Sequence, residues 1–264
     1  MRSLVLVSLV LVAGCARPAP RPDPPRVEPP ATPVLVAPPS VAPPAQAAPF
    51  ALVELFTSEG CDSCPSAEGV ASKLSTEPSV YVLTWHVDYW DYLGWKDPYS
   101  RKSWSDRQRL LAKFLGTGLY TPQLVVDGQV EVLGSHAAAV DDAVKSALAA
   151  KRTVAVTGHL REEKGVVFLS VNPVFAPEGN VRAVLVEDGL ASRPTKGENT
   201  GKLLRHDGVV RAAASAPVGP APVELALPLP PDGKRARLAV VAWVASPSEA
   251  VVGAARFPLP GVGQ

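Results

Sequence analysis

Residues 52–65, Leu-Val-Glu-Leu-Phe-Thr-Ser-Glu-Gly-Cys-Asp-Ser-Cys-Pro, constrain the fold of this chain more than any other stretch. A short apolar run ends in Thr57-Ser58-Glu59-Gly60, and Cys61 and Cys64 follow with two residues between them. The pattern predicts a strand, a tight turn and a helix opening on Cys61, with Pro65 in the first turn where its missing N–H costs little. Unpaired N–H groups and the positive dipole end at a helix N-terminus favour a thiolate on Cys61. Cys64, one turn on, is placed to resolve a mixed disulfide. Glu59 and Asp62 flank the pair and oppose ionisation; one pKa unit is about 1.4 kcal/mol, or close to 30 mV for a two-electron couple.

The start of the chain sets the expected compartment. Arg2 precedes an apolar run over residues 4–12, too short to span a bilayer, and Val12-Ala13-Gly14-Cys15 has the small-residue pattern that precedes a lipidated cysteine. Residues 1–15 are thus similar to a bacterial lipoprotein signal peptide, whose cleavage leaves Cys15 as the acylated N-terminus; ordinary secretion with cleavage elsewhere is the alternative. The expected location is the cell envelope, on the periplasmic or extracellular side, with a lipid anchor in the membrane. The absence of an aspartate after Cys15 points to the outer membrane. Of the three cysteines, an acylated Cys15 leaves Cys61 and Cys64 as each other's partners, in a space where disulfides persist.

Residues 16–49 are thick with Pro and Ala. With little to bury, they read as an extended tether that reaches on the order of 100 Å at about 3.1 Å per residue. The net charge of +1 leaves no electrostatic footprint for nucleic acid, which is not expected as a partner.

Residues 50–152 alternate strand and helix. After the cysteines, Ala67, Val70, Ala71 and Leu74 recur on one helical face. A second strand over residues 80–87 is apolar enough to be buried on both sides. Its period of two carries His86 and Asp88 onto one face near the strand's C-terminal end, where chemistry gathers in open α/β sheets. That pair reads either as a proton shuttle for Cys64 or as a hydrogen-bonded pair kept for stability. The aromatic segment with Tyr89 and Trp90, continuing to Trp95, reads either as packing at the domain edge or as a substrate-binding wall beside the cysteines. A helix follows over residues 100–115, and Asp127-Gly128 between alternating runs signals a hairpin. A last helix, capped by Ser135, runs toward Arg152. Pro122 heads the hairpin; from the residues alone its peptide bond is expected trans.

Four motifs in order, Glu54 to Pro65, His86-Val87-Asp88-Tyr89-Trp90-Asp91, Arg107-Gln108 and Tyr120-Thr121-Pro122-Gln123, resemble a bacterial family of exported thioredoxin-like proteins catalogued as a domain of unknown function. The resemblance implies a thioredoxin fold, Cys61 and Cys64 at the helix start, Pro122 as a cis-proline facing them, and Thr121 as a backbone partner for bound peptide. Leu111, where an aromatic is usual, and Glu59, where Gln is frequent, depart from the pattern.

Residues 153–258 read as seven short strands separated by turn residues, the pattern of an all-β immunoglobulin-like sandwich. The expected fold is therefore an α/β thioredoxin-like domain followed by that sandwich. Gly197-Glu198-Asn199-Thr200-Gly201, with His206 and Arg211 beyond, also resembles the family and reads as a turn or inter-domain contact rather than a ligand site. The function expected is a lipid-anchored thiol–disulfide oxidoreductase acting on protein or small-molecule thiols and disulfides, without a cofactor. Cys61, Cys64, Pro122, His86 and Asp88 are its catalytic candidates, and Thr121, Trp90 and Tyr89 its substrate contacts. A Cu(I)-handling protein and a binding module with an inert disulfide are the alternatives; no metal-ligand set is assigned, because there is no second Cys-x-x-Cys and the only methionine is Met1.

Overall fold

A computed structural model describes residues 48–172, 174 and 178–259. The signal-peptide pattern, Cys15 and nearly all of the Pro-rich tether lie outside the described residues.

The first half follows the expected element order. Strand β1 (Ala51–Thr57) is buried along its whole length and leads through the cysteine turn into helix α1 (Cys64–Leu74). Strand β2 (Val80–His86) pairs parallel with β1. Helix α2 (Lys102–Leu115) ends at Gly116, which takes the left-handed conformation that suits a C-cap. Strands β3 (Gln123–Val126) and β4 (Val130–Leu133) form the hairpin announced by Asp127-Gly128, both of which have positive φ as a type I′ turn requires. Helix α3 (Ala137–Ala149) closes this half.

Among the described residues, the regular elements of the second half are strands, apart from a short 3-10 turn. They are β5 (Gly158–Glu163), β6 (Val166–Val171), β7 (Asn180–Glu187), β8 (Leu190–Ser192), β9 (Leu204–His206), β10 (Val209–Pro217), β11 (Val223–Pro228), β12 (Leu238–Ala245) and β13 (Val251–Pro258). A turn at Asp207-Gly208 separates β9 from β10.

The expectation of an α/β thioredoxin-like domain plus a separate immunoglobulin-like sandwich is overturned by the sheet itself. One eight-stranded mixed sheet runs β13-β12-β7-β10-β2-β1-β3-β4, taking strands from both halves, and a second sheet of three strands runs β11-β6-β5. The halves join where β10 meets β2 in parallel at Val209 and Thr84. Thr84 secures the join twice, its N–H donating to the Gly208 carbonyl and its hydroxyl to the Asp207 carbonyl, each at 2.7 Å. Gly208 has φ +65°, and a Cβ there would lie 2.6 Å from the Val82 carbonyl oxygen, so the close approach demands glycine.

Packing explains why the halves do not separate. One core joins Phe50, Leu52, Phe56, Leu83 and Trp85 to Val184, Val186, Val241 and Trp243, with Trp104 and Leu111 of α2 among them. A second core lies between the three-stranded sheet and the other face of β7 and β12, through Val167, Leu169, Leu225, Leu185, Val240 and Ala242. Strand β12 is therefore buried on both faces. Such a strand needs a layer on each side, which a self-contained two-sheet sandwich does not provide. A third core sits under α1 and α3.

Candidate functional site

The site begins where β1 runs out. The Ser58 hydroxyl accepts the Gly60 N–H at 3.1 Å and the Ser58 carbonyl accepts the Cys61 N–H at 3.2 Å, so one residue shapes the tight turn. Gly60 is required by space: a Cβ there would lie 2.9 Å from Cβ of Trp90. Cys61 and Cys64 are joined in a disulfide with their Cα atoms 5.5 Å apart. Helix α1 opens on Cys64, rather than on Cys61 as the sequence predicts, because Asp62 and Ser63 form a turn in which the Cys64 N–H reaches the Cys61 carbonyl at 3.3 Å. Ser63 makes no side-chain cap; its Oγ lies 3.4 Å from Cys61 Sγ.

Both cysteines are buried, at 1% and 0% exposure. The loop between β8 and β9 reaches across the turn. Asn199 donates from Nδ2 to the Glu59 carbonyl at 2.9 Å and to the Cys61 carbonyl at 2.8 Å, and the Asp62 N–H donates to Glu198 Oε2 at 3.0 Å. The Gly197–Gly201 run is thus a contact, made onto the cysteine turn itself.

Behind the turn lies a buried ionisable cluster. The Glu59 N–H donates to Asp97 Oδ2 at 2.9 Å, and Glu59 Oε2 accepts Trp95 Nε1 at 2.6 Å. His206 sits between two glutamates, Nε2 at 3.2 Å from Glu59 Oε1 and Nδ1 hydrogen-bonded to Glu68 Oε2. Glu68 Oε1 also accepts the Thr57 hydroxyl at 2.6 Å. Burial alone would depress His206, but Glu68 and Glu59 outweigh it and lift its pKa to about 10. His86 Nδ1 lies 2.7 Å from Asp97 Oδ2. Burial would raise Asp97; His86 and the backbone N–H groups of Glu59 and Tyr99 overcome that and hold its carboxyl below the usual range. The rings of His86 and His206 meet edge to face at 4.9 Å.

The residues named from sequence divide. Trp90 packs on Gly60 and donates from Nε1 to Thr121 Oγ1 at 2.8 Å, so it bridges the cysteine turn to the Thr121-Pro122 bond, which is cis rather than the trans expected from the residues alone. The Pro122 carbonyl accepts the Gly134 N–H at 2.9 Å. Tyr89 faces α2, donating its hydroxyl to Gln108 Oε1 at 3.1 Å. The expected pairing of His86 with Asp88 is not formed. Strand β2 ends at His86, so its period of two does not extend to Asp88, which accepts the Ser105 hydroxyl at 2.5 Å instead. The acid that holds His86 is Asp97.

Glu68, Asp97, Glu198 and Asn199 were not singled out from sequence in these roles. Glu68 leaves a readable trace, an acid beside Ala67 and one turn before Ala71 on the apolar face of α1. Asp97 and Asn199 are joined to the turn across 38 and 140 residues, a relation local pattern does not carry.

Fold and site together define a protein with one continuous mixed sheet and a covered Cys-x-x-Cys disulfide set against a buried His–carboxylate cluster. The chain belongs to the family described as protein of unknown function (DUF1223), whose model matches residues 52–245. It is similar to the crystal structure of a structural-genomics target from Agrobacterium tumefaciens, with 26% identity and a TM-score of 0.64 over 83% of this chain and 98% of that one. It shares its fold with HBP35 of Porphyromonas gingivalis, at 14% identity and a TM-score of 0.61 over 83% of this chain and 79% of that one. No curated protein sequence matches the chain.

Proposed function

We propose that the protein is a thiol–disulfide oxidoreductase that uses Cys61 and Cys64 on protein or small-molecule thiols and disulfides, exported and held at the cell envelope by lipid on Cys15. The observation that carries this reading is the position of the pair: a disulfide of sequence separation 3 at the first turn of α1. A bridge that short does little as a staple. Chain-entropy arguments give a ring of four residues about 2 kcal/mol, less than bridges between remote segments supply. At the positive end of α1, in contrast, either sulfur is helped to leave as a thiolate, and the Ser63 hydroxyl beside Cys61 Sγ adds a donor.

A client thiolate attacks Cys61 Sγ, the Cys61–Cys64 bond breaks, and Cys64 departs as the thiolate. A second client thiolate then attacks the client sulfur of the mixed disulfide and expels Cys61, so that two client thiols become a disulfide and the protein becomes a dithiol. The reverse reaction uses the same steps, and direction follows the potential of the couple against its partner. Trp90 and Thr121 flank the turn as the client contact, and the loop carrying Asn199 must lift to admit it.

Replacing the resolving cysteine tests the reading. Reduced Cys64→Ser protein is expected to accumulate clients linked to Cys61 by bonds that a reductant releases, while Cys61→Ser captures none. Equal capture by the two variants would sink the proposal.

A further inference from the structure

Glu68, His86 and His206 come from α1, β2 and β9, and each offers one ligand atom within 4.8 Å of the others; all three residues are buried. His86 is 1% exposed, and its Nε2 has no hydrogen-bond partner. A bare imidazole nitrogen in the interior forfeits its hydration for nothing in return, which is rare without a purpose. The other nitrogen of each ring is already held by a carboxylate outside the set: His86 Nδ1 by Asp97 Oδ2 at 2.7 Å, and His206 Nε2 by Glu59 Oε1 at 3.2 Å. That is how metal-binding histidines are oriented, with the outer N–H donated to an acid so that the inner nitrogen presents its lone pair. It leaves His86 Nε2 and His206 Nδ1 as donors beside the carboxylate of Glu68.

We infer that Glu68, His86 and His206 form a binding site for one divalent transition-metal cation, zinc best matching two imidazole nitrogens and a carboxylate oxygen. Charge argues the same way. Three buried acids, Glu59, Glu68 and Asp97, surround the two rings, and a cation among them offsets carboxylate charge that two imidazoles do not balance. His206 Nδ1 is hydrogen-bonded to Glu68 Oε2, and an ion held by both would take the place of that bond. The site uses neither cysteine, so it stands or falls separately from the redox reading.

The test is zinc uptake by the full chain with its disulfide intact, after treatment with a chelator. One equivalent of Zn²⁺ is expected to bind, and His86→Asn and Glu68→Gln are each expected to weaken binding at least tenfold. Asp97→Asn, which only loosens the orientation of His86, should cost about 10–100-fold with unchanged stoichiometry. Because a buried variant can fail to fold, the unaltered protein is also loaded with Co²⁺. The expected spectrum has d–d bands and no sulfur-to-cobalt charge-transfer band. No one-to-one uptake, uptake unchanged in folded His86→Asn, or a sulfur charge-transfer band would each overturn the inference.

Discussion

Asn199 connects two turns that lie 138 residues from each other, because one amide reaches both the Glu59 and Cys61 carbonyls. Its two hydrogen bonds contribute on the order of 1 kcal/mol each, and they hold the loop closed over a disulfide with almost no exposed surface. Asn199→Ala is therefore expected to speed reduction of the disulfide by dithiothreitol about five- to thirtyfold, read by thiol release against the parent. An unchanged rate would mean that this loop does not govern access. At this scale the pairing of Cys61 with Cys64 was legible, because strand, turn and the two cysteines are written in consecutive residues. The partner of His86 was not. Asp88 was inferred by extending the strand's alternation two residues past its end, whereas Asp97 is delivered by the loop that follows.

Elements were easier to read than their assembly. The hairpin over β3 and β4 is announced by Asp127-Gly128, and the helix expected over residues 100–115 forms as α2. What escaped was the meaning of the unbroken apolar run in β12. Its strand character was legible, but its two buried faces place it in the middle of a layered sheet. The elements are also joined by buried charge. Arg107 of α2 grips Glu54 of β1 through Nε at 2.9 Å and Nη2 at 2.6 Å, and its remaining nitrogen reaches Glu249 before β13, which also binds Arg182 of β7 at 2.6 Å. Arg107→Met leaves Glu54, fully buried, without its partner, and is expected to cost about 3–5 kcal/mol in urea denaturation. Lys102→Ala, which breaks an exposed pair with Asp106 on the same helix, should leave the urea midpoint where it is. Equal effects would remove this network from the account of how the halves are held.

Among the described residues one eight-stranded sheet takes strands from both halves, and the loop between β8 and β9 reaches from the second half onto the cysteine turn in the first. Two domains were expected because the pattern changes character near residue 152. Sequence period reports the type of each strand but not the sheet that receives it, and the join through Thr84 and Val209 is made by a parallel pairing of residues 125 positions apart. The same long-range closure brings Asn199 to the cysteine turn and His206 to Glu59 and Glu68, so the second half of the chain completes the candidate site. The central claim is that this covered disulfide is a working redox couple. Its midpoint potential, measured by equilibration of the full chain in graded thiol–disulfide buffers, tests that most directly. A reactive couple is expected above about −300 mV, within reach of cellular thiol pools, whereas a value well below that would mark Cys61–Cys64 as a structural bridge and contradict the account.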